Sequence, residues 1–111
     1  MNVCILSGRV WKNATVKGTE PRTLTFVLET RHGAFESDKK ERAAFVPCVL
    51  FNPTPELEAL LAQQGEGLTI EFEGRLCSPN PDTNGGRRFN TEVIVRNRTL
   101  TVLSPVAETV Q

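Results

Sequence analysis

Residues 68–95 carry two alternating runs around a cluster that no strand can cross. In 68–76, Leu68, Ile70, Phe72 and Leu76 share one parity, and Thr69, Glu71, Glu73 and Arg75 share the other. A period of two belongs to a strand with one face in a core and one in water. The cluster runs Pro79, Asn80, Pro81, Asp82, Thr83, Asn84, Gly85, Gly86. Its prolines remove ladder donors, and its Asn-Gly-Gly end supplies positive φ, so it reads as a hairpin tip. The second run, 88–95, returns along the first. Arg87, Arg88 and Phe89 stand at the neck of this arm, a composition suited to gripping an extended anionic polymer. A purely structural hairpin reads the same way.

Upstream, residues 2–10 are mostly apolar, which fits a buried strand, with Gly8 marking a bulge or bend. A β-favouring patch at 14–16 ends in a turn cluster at 17–21. Leu24, Phe26 and Leu28 alternate with polar or smaller neighbours and predict a second strand over 22–31. Residues 32–42 are polar, charged and aperiodic, hence a loop, with Phe35 as its anomaly: it either tucks back onto the body or is offered to a ligand. A third strand follows at 43–51. Val46, Cys48 and Leu50 share one face, while Phe45, Pro47, Val49 and Phe51 share the other, and Pro47 requires an edge or bulge. Thr54 then caps a short helix with Pro55 at its first position, Glu56 in its first turn and Leu57, Leu60 and Leu61 on one stripe. Gly65 ends it. After the hairpin, the last strand continues through 99–103 with a bend near Asn97.

The order is therefore β-β-β-α-β-β. That is the order of an all-β, five-stranded OB-fold Greek-key barrel with one short helix between strands three and four. A five-stranded barrel of different connectivity fits the same pattern. At 111 residues the chain suffices for one domain with one core.

Formal net charge is zero, so no global basic field advertises a polyanionic partner. The basic residues Arg87, Arg88, Arg96 and Arg98 nonetheless cluster late in the chain, apart from Glu56, Glu58 and Glu66. Cys4, Cys48 and Cys77 are odd in number and widely spaced, which argues against a disulfide framework and a zinc site and for three buried thiols in a reducing, cytoplasmic compartment. No secretory signal opens the sequence and no apolar run reaches membrane-spanning length. His32 has no carboxylate or cysteine partner in sequence reach. Neither an active site nor a cofactor motif can be defended, so an enzyme is not expected.

The motifs resemble those of bacterial single-stranded DNA-binding proteins. Residues 2–10, with their apolar run ending in Gly-Arg-Val, resemble that family's opening strand, and 24–28 its second. Residues 45–51 resemble its aromatic-containing third strand. Residues 73–76 (Glu-Gly-Arg-Leu) and 88–95 (with Thr-Glu-Val-Ile-Val) resemble the paired motifs of strands four and five. The match spans residues 2–103 in order.

This resemblance implies sequence-independent binding of single-stranded DNA in replication, recombination or repair, by a domain over residues 1–103 followed by a flexible tail at 104–111. Phe45 and Phe51 fall where the family places stacking aromatics, and Phe35 lies near another. Base stacking suits a sequence-indifferent binder because every base has a π-face. Arg75, Arg87, Arg88 and Phe89 complete the candidate nucleic-acid contacts. The family's dimers and tetramers imply a homo-oligomer, with Val3 and Ile5 on a first strand that forms an available edge.

Three features depart from the family pattern. The position where its hairpin often carries Trp falls near Pro81; Tyr is absent and Trp11 is the sole Trp; and the long tail with an acidic tip, the docking site for replication and repair proteins, is not in the sequence. Tail-less relatives such as primosomal replication protein N supply the alternative, an OB-fold subunit that acts mainly through protein–protein contacts. Read without the family, Phe45 and Phe51 belong in a core or subunit contact, the arginines on a solvated face, and Trp11 at the barrel end or an interface.

Overall fold

A computed structural model of the protein describes residues 1–32, 42–78 and 91–103. In chain order these form β1 (Cys4–Val10), β2 (Thr15–Lys17), β3 (Thr23–His32), β4 (Arg42–Phe51), helix α1 (Pro55–Gln64), β5 (Thr69–Cys77), β6 (Glu92–Val95), a 3-10 turn (Asn97–Thr99) and β7 (Thr101–Val102). The five principal strands close on themselves. β1 pairs with β3, β3 with β4, β4 with β6, β6 with β5, and β5 returns to β1. All these pairings are antiparallel except β4 with β6, where Cys48 lies beside Val93 and Val49 beside Ile94. This is the five-stranded OB-fold barrel expected from the sequence, with its helix between the third and fourth principal strands.

The barrel interior is filled by the inward parity of each strand. Leu24, Phe26 and Leu28 of β3 meet Cys48 and Leu50 of β4, Ile70 and Phe72 of β5, and Val93 and Val95 of β6. Phe26 and Phe72 meet edge to face at 6.4 Å, an arrangement that adds about 0.5–1.5 kcal/mol to their burial. The helix caps one end as its sequence predicts. Thr54 Oγ1 accepts a hydrogen bond from the Leu57 amide at 3.2 Å, and Leu61 is fully buried. Gly65 caps the helix in ordinary right-handed geometry; the positive φ of +86° falls at Gly67. The Ala14 amide donates to Leu61 O at 2.9 Å, tying the start of β2 to the helix.

Pro47 sits inside β4 without disrupting either ladder. Val27, opposite Pro47, turns its carbonyl away from β4 to accept the Trp11 amide at 2.9 Å. The Val27–Pro47 pair is therefore not hydrogen-bonded, and the donor that Pro47 lacks would face β6. The described pairing of β4 with β6 starts one residue later, at Cys48.

Several expectations need correction. The first strand is half-buried rather than buried: Leu6 packs against the core, while Val3 and Ile5 point outward, with Ile5 70% exposed. It is also an edge over part of its length only. β5 pairs with it from Cys4 to Arg9, whereas β3 pairs with it at Arg9 and Val10. The divergence from β3 starts at Gly8, where a Cβ would lie 2.4 Å from the Glu29 carbonyl oxygen; the two backbones touch there and then separate.

Leu76 follows the inward parity of β5 and pairs with the buried Val93 of β6, but is itself exposed. Cys48 is buried as expected, whereas Cys4 and Cys77 are partly exposed. The loop after the second strand is also shorter than predicted, since β3 and β4 stay paired as far as His32 and Arg42. The bend near Asn97 takes the form of the 3-10 turn, after which Val102 pairs with Ile70.

Candidate nucleic-acid interface

The alternation that buries Leu24, Phe26, Leu28, Cys48 and Leu50 sends the opposite parity of β3 and β4 outward. On β4 this outer row is Phe45, Pro47, Val49 and Phe51. Phe45 is 54% exposed and Phe51 49% exposed, while Val49 between them is only 7% exposed. The two rings stand six residues apart on an extended strand, a separation of about 20 Å at the usual rise per residue. The Asn97 side-chain amide donates to Phe51 O at 2.8 Å, so the turn after β6 anchors the backbone that carries that ring.

Trp11 joins this face. It follows the buried Val10 by one residue and so points outward, half exposed. Its amide bond to Val27 O places it on the opposite side of β3 from β4. From there its indole reaches diagonally across β3 to Phe45, with ring centroids 5.8 Å apart and planes at 67°. The ammonium of Lys12 lies 5.5 Å from the centre of the indole ring, a cation–π distance. A groove of about 260 Å³ continues from Trp11 past Val27 and Pro47 to Val49, with Thr15 and Thr25 beside it and Glu92 also on its lining. Sequence reasoning assigned Trp11 to the barrel end or an interface. The signal that would have placed it here is parity: the residue after the last inward position of β1 must face out.

Charge around this face is partly neutralised. Arg9 pairs with Glu29 at 3.4 Å, next to Phe45 in the register. Arg96 pairs with Glu73 at 3.2 Å, and Arg22 with Glu58. Arg75 is exposed and makes no ion pair among the described residues. It lies in the outward row Val49, Ile94, Arg75, two strands from β4, and lines a second groove of about 380 Å³ with Asn2, Val3 and Ile94. The structure thus brings Phe45 and Phe51 onto one strand face and leaves Arg75 two strands away, across Ile94. Phe35, Arg87, Arg88 and Phe89 lie outside the described residues. Among the described residues no group of three or more His, Cys, Asp or Glu is placed to hold a metal ion, and no helix is long and apolar enough to cross a membrane.

The model of the single-strand binding protein family matches residues 1–101. The chain belongs to the single-strand binding protein family. Among solved structures, a Plasmodium falciparum SSB in complex with single-stranded DNA superposes with a TM-score of 0.73 at 20% identity, covering 94% of this chain and 96% of that one. The dimeric structure of the N-terminal domain of PriB protein from Thermoanaerobacter tencongensis superposes with a TM-score of 0.63 at 19% identity, covering 94% and 98%. At these identities the likeness is one of fold. No curated protein sequence matches the chain.

Proposed function

We infer that the protein binds single-stranded DNA without regard to sequence, through base stacking on its outer β4 face and phosphate contacts from basic side chains. The observation that supports this most is the exposure of Phe45 and Phe51 on the outer face of β4. Rings left half in water at both ends of one strand face offer flat apolar surface to bases, and stacking of this kind is indifferent to base identity. Phe35 and Phe89 join the stacking residues in this reading, and Arg75, Arg87 and Arg88 take phosphates. The domain spans residues 1–103, with 104–111 as its tail. Single strands of DNA arise in replication, recombination and repair, which is where such a protein acts, and three unpaired thiols fit a reducing cytoplasm.

The protein acts as a homo-oligomer, a dimer or tetramer. Supporting this, Ile5 on the outer parity of β1 and Val3 just before that strand are both exposed, and part of β1 has no neighbour on its β3 side among the described residues. One barrel also offers only a short binding face.

A second reading has its own support. With zero net charge and three arginines (Arg9, Arg22 and Arg96) held in ion pairs, the barrel could serve as a primosome-type subunit that buries its aromatic face against a replication protein. Salt separates the two. A polarisation titration with labelled oligo-dT at two salt concentrations should show binding that weakens as salt rises, by about 0.7 in log K per log salt for each phosphate contact. The offset of basic by acidic residues predicts a shallow slope. Absence of binding at the lower salt would remove the DNA reading and leave the protein partner.

A further inference from the structure

We propose that Trp11 and Phe45 form a corner that holds one base of the bound strand, with Lys12 on the phosphate beside it. The proposal rests on the single-strand binding reading and adds a site to it. Burying an indole is among the larger gains a small domain can make, yet Trp11 is left half exposed while its chain neighbour Val10 is sealed in the core. The side chain is placed by the Trp11 amide bond to Val27 O at one end and by the edge-to-face contact with Phe45 at the other. Two rings at 67° make a wedge rather than a stack, so a planar base lying on one ring presents its edge to the other.

The surroundings fit a nucleotide rather than an apolar peptide. Behind the wedge, Val27, Pro47 and Val49 give the groove apolar surface, and the hydroxyl-bearing Thr15 and Thr25 line it as well. The Lys12 ammonium already sits against the indole; a base stacked on that ring brings its own phosphate within reach of the same cation. Glu92 also lines the groove, and its carboxylate repels a phosphate there. The two charges therefore orient the nucleotide: base toward the groove floor, sugar-phosphate on the Lys12 side. The sequence preference expected from a stacking wedge is weak.

The chain's sole tryptophan makes the test direct. The full-length protein is titrated with oligo-dT and with an abasic strand of equal length, following Trp11 emission together with polarisation of the labelled strand. Oligo-dT should change Trp11 emission in step with binding, and the abasic strand should not. Trp11→Leu should weaken oligo-dT binding about 5- to 150-fold, Trp11→Phe should restore most of it, and Lys12→Gln should lower the salt slope by about 0.7. Polarisation that reports full binding while Trp11 emission stays constant overturns the corner site and leaves single-strand binding standing. Equal emission changes with the abasic strand also overturn it, since phosphate alone would then suffice. No binding of either strand by polarisation removes both this site and the reading beneath it. The emission readout needs no variant, so a Trp11→Leu protein that fails to fold does not block the decision.

Discussion

The side-chain amide of Asn2 closes two hydrogen bonds on the backbone of Leu76: its Nδ2 donates to Leu76 O, and its Oδ1 accepts the Leu76 amide, both at 2.9 Å. A side chain thereby does what a backbone residue would do, continuing the β1–β5 ladder two residues beyond Cys4 and holding the end of β5. Asn2→Ala should cost about 1 kcal/mol and speed hydrogen exchange of the Leu76 amide. Unchanged protection at Leu76 would show that this end of β5 is held by β6 alone.

Phe51→Ala should weaken binding of single-stranded DNA by about 1–3 kcal/mol while leaving the melting temperature nearly unchanged, because the ring is half in solvent and outside the core cluster. If melting falls sharply and the remaining folded protein binds normally, Phe51 is a structural residue and the binding face lies elsewhere.

Much of this architecture was legible in the sequence because it is local. The parity of Leu24, Phe26 and Leu28, the opposite facing of Cys48 and Phe45, the Thr54 cap and the bend near Asn97 all depend on neighbours a few residues apart. What sequence reasoning missed depends on distant contacts. Leu76 keeps the inward parity of β5 yet is exposed, and nothing in the strand itself marks where burial along that face stops. The first strand reads as wholly buried because Val3 and Ile5 are apolar, whereas burial is set by which strands lie across it, and β3 pairs with it only at Arg9 and Val10 among the described residues. The contact of Trp11 with Phe45, its diagonal neighbour across β3, is one that no local pattern marks. Arg75 stands in the same outward row as Val49, with Ile94 between them, a neighbourhood that only the order of strands around the barrel creates.

Cys48 should be the slow thiol. Burial among apolar side chains raises its pKa from 9.0 to about 12, whereas Cys4 and Cys77 are partly exposed. A thiol reagent applied to native protein should modify Cys48 last, and all three thiols together after denaturation. The same shift links stability to pH. Below about pH 9 both the folded and unfolded chains keep the proton, and the contribution is whole. Between 9 and about 12 the unfolded chain releases it while the folded one retains it, so stability falls as pH rises. Cys48→Ala should show a shallower fall in its urea midpoint across the start of that range, and an identical slope would contradict the assignment.

If Ile5 lies in the proposed subunit contact, Ile5→Glu should give a monomer by light scattering, since it places a charge on the exposed outer parity of β1 beside Glu73. The core should be untouched, because Ile5 points away from it. An unchanged molecular mass would move the subunit contact to another face.

The account rests on the outer face of β4 being where the strand lies, and photo-crosslinking reports that position directly. Oligonucleotides carrying 5-bromodeoxyuridine, irradiated on the full-length protein and mapped by mass spectrometry, attach to aromatic side chains in contact with the base. The account predicts adducts at Phe45, Phe51 and Trp11. Adducts confined to the face around Val3 and Ile5, or bound strands that attach to none of the three rings, would contradict it.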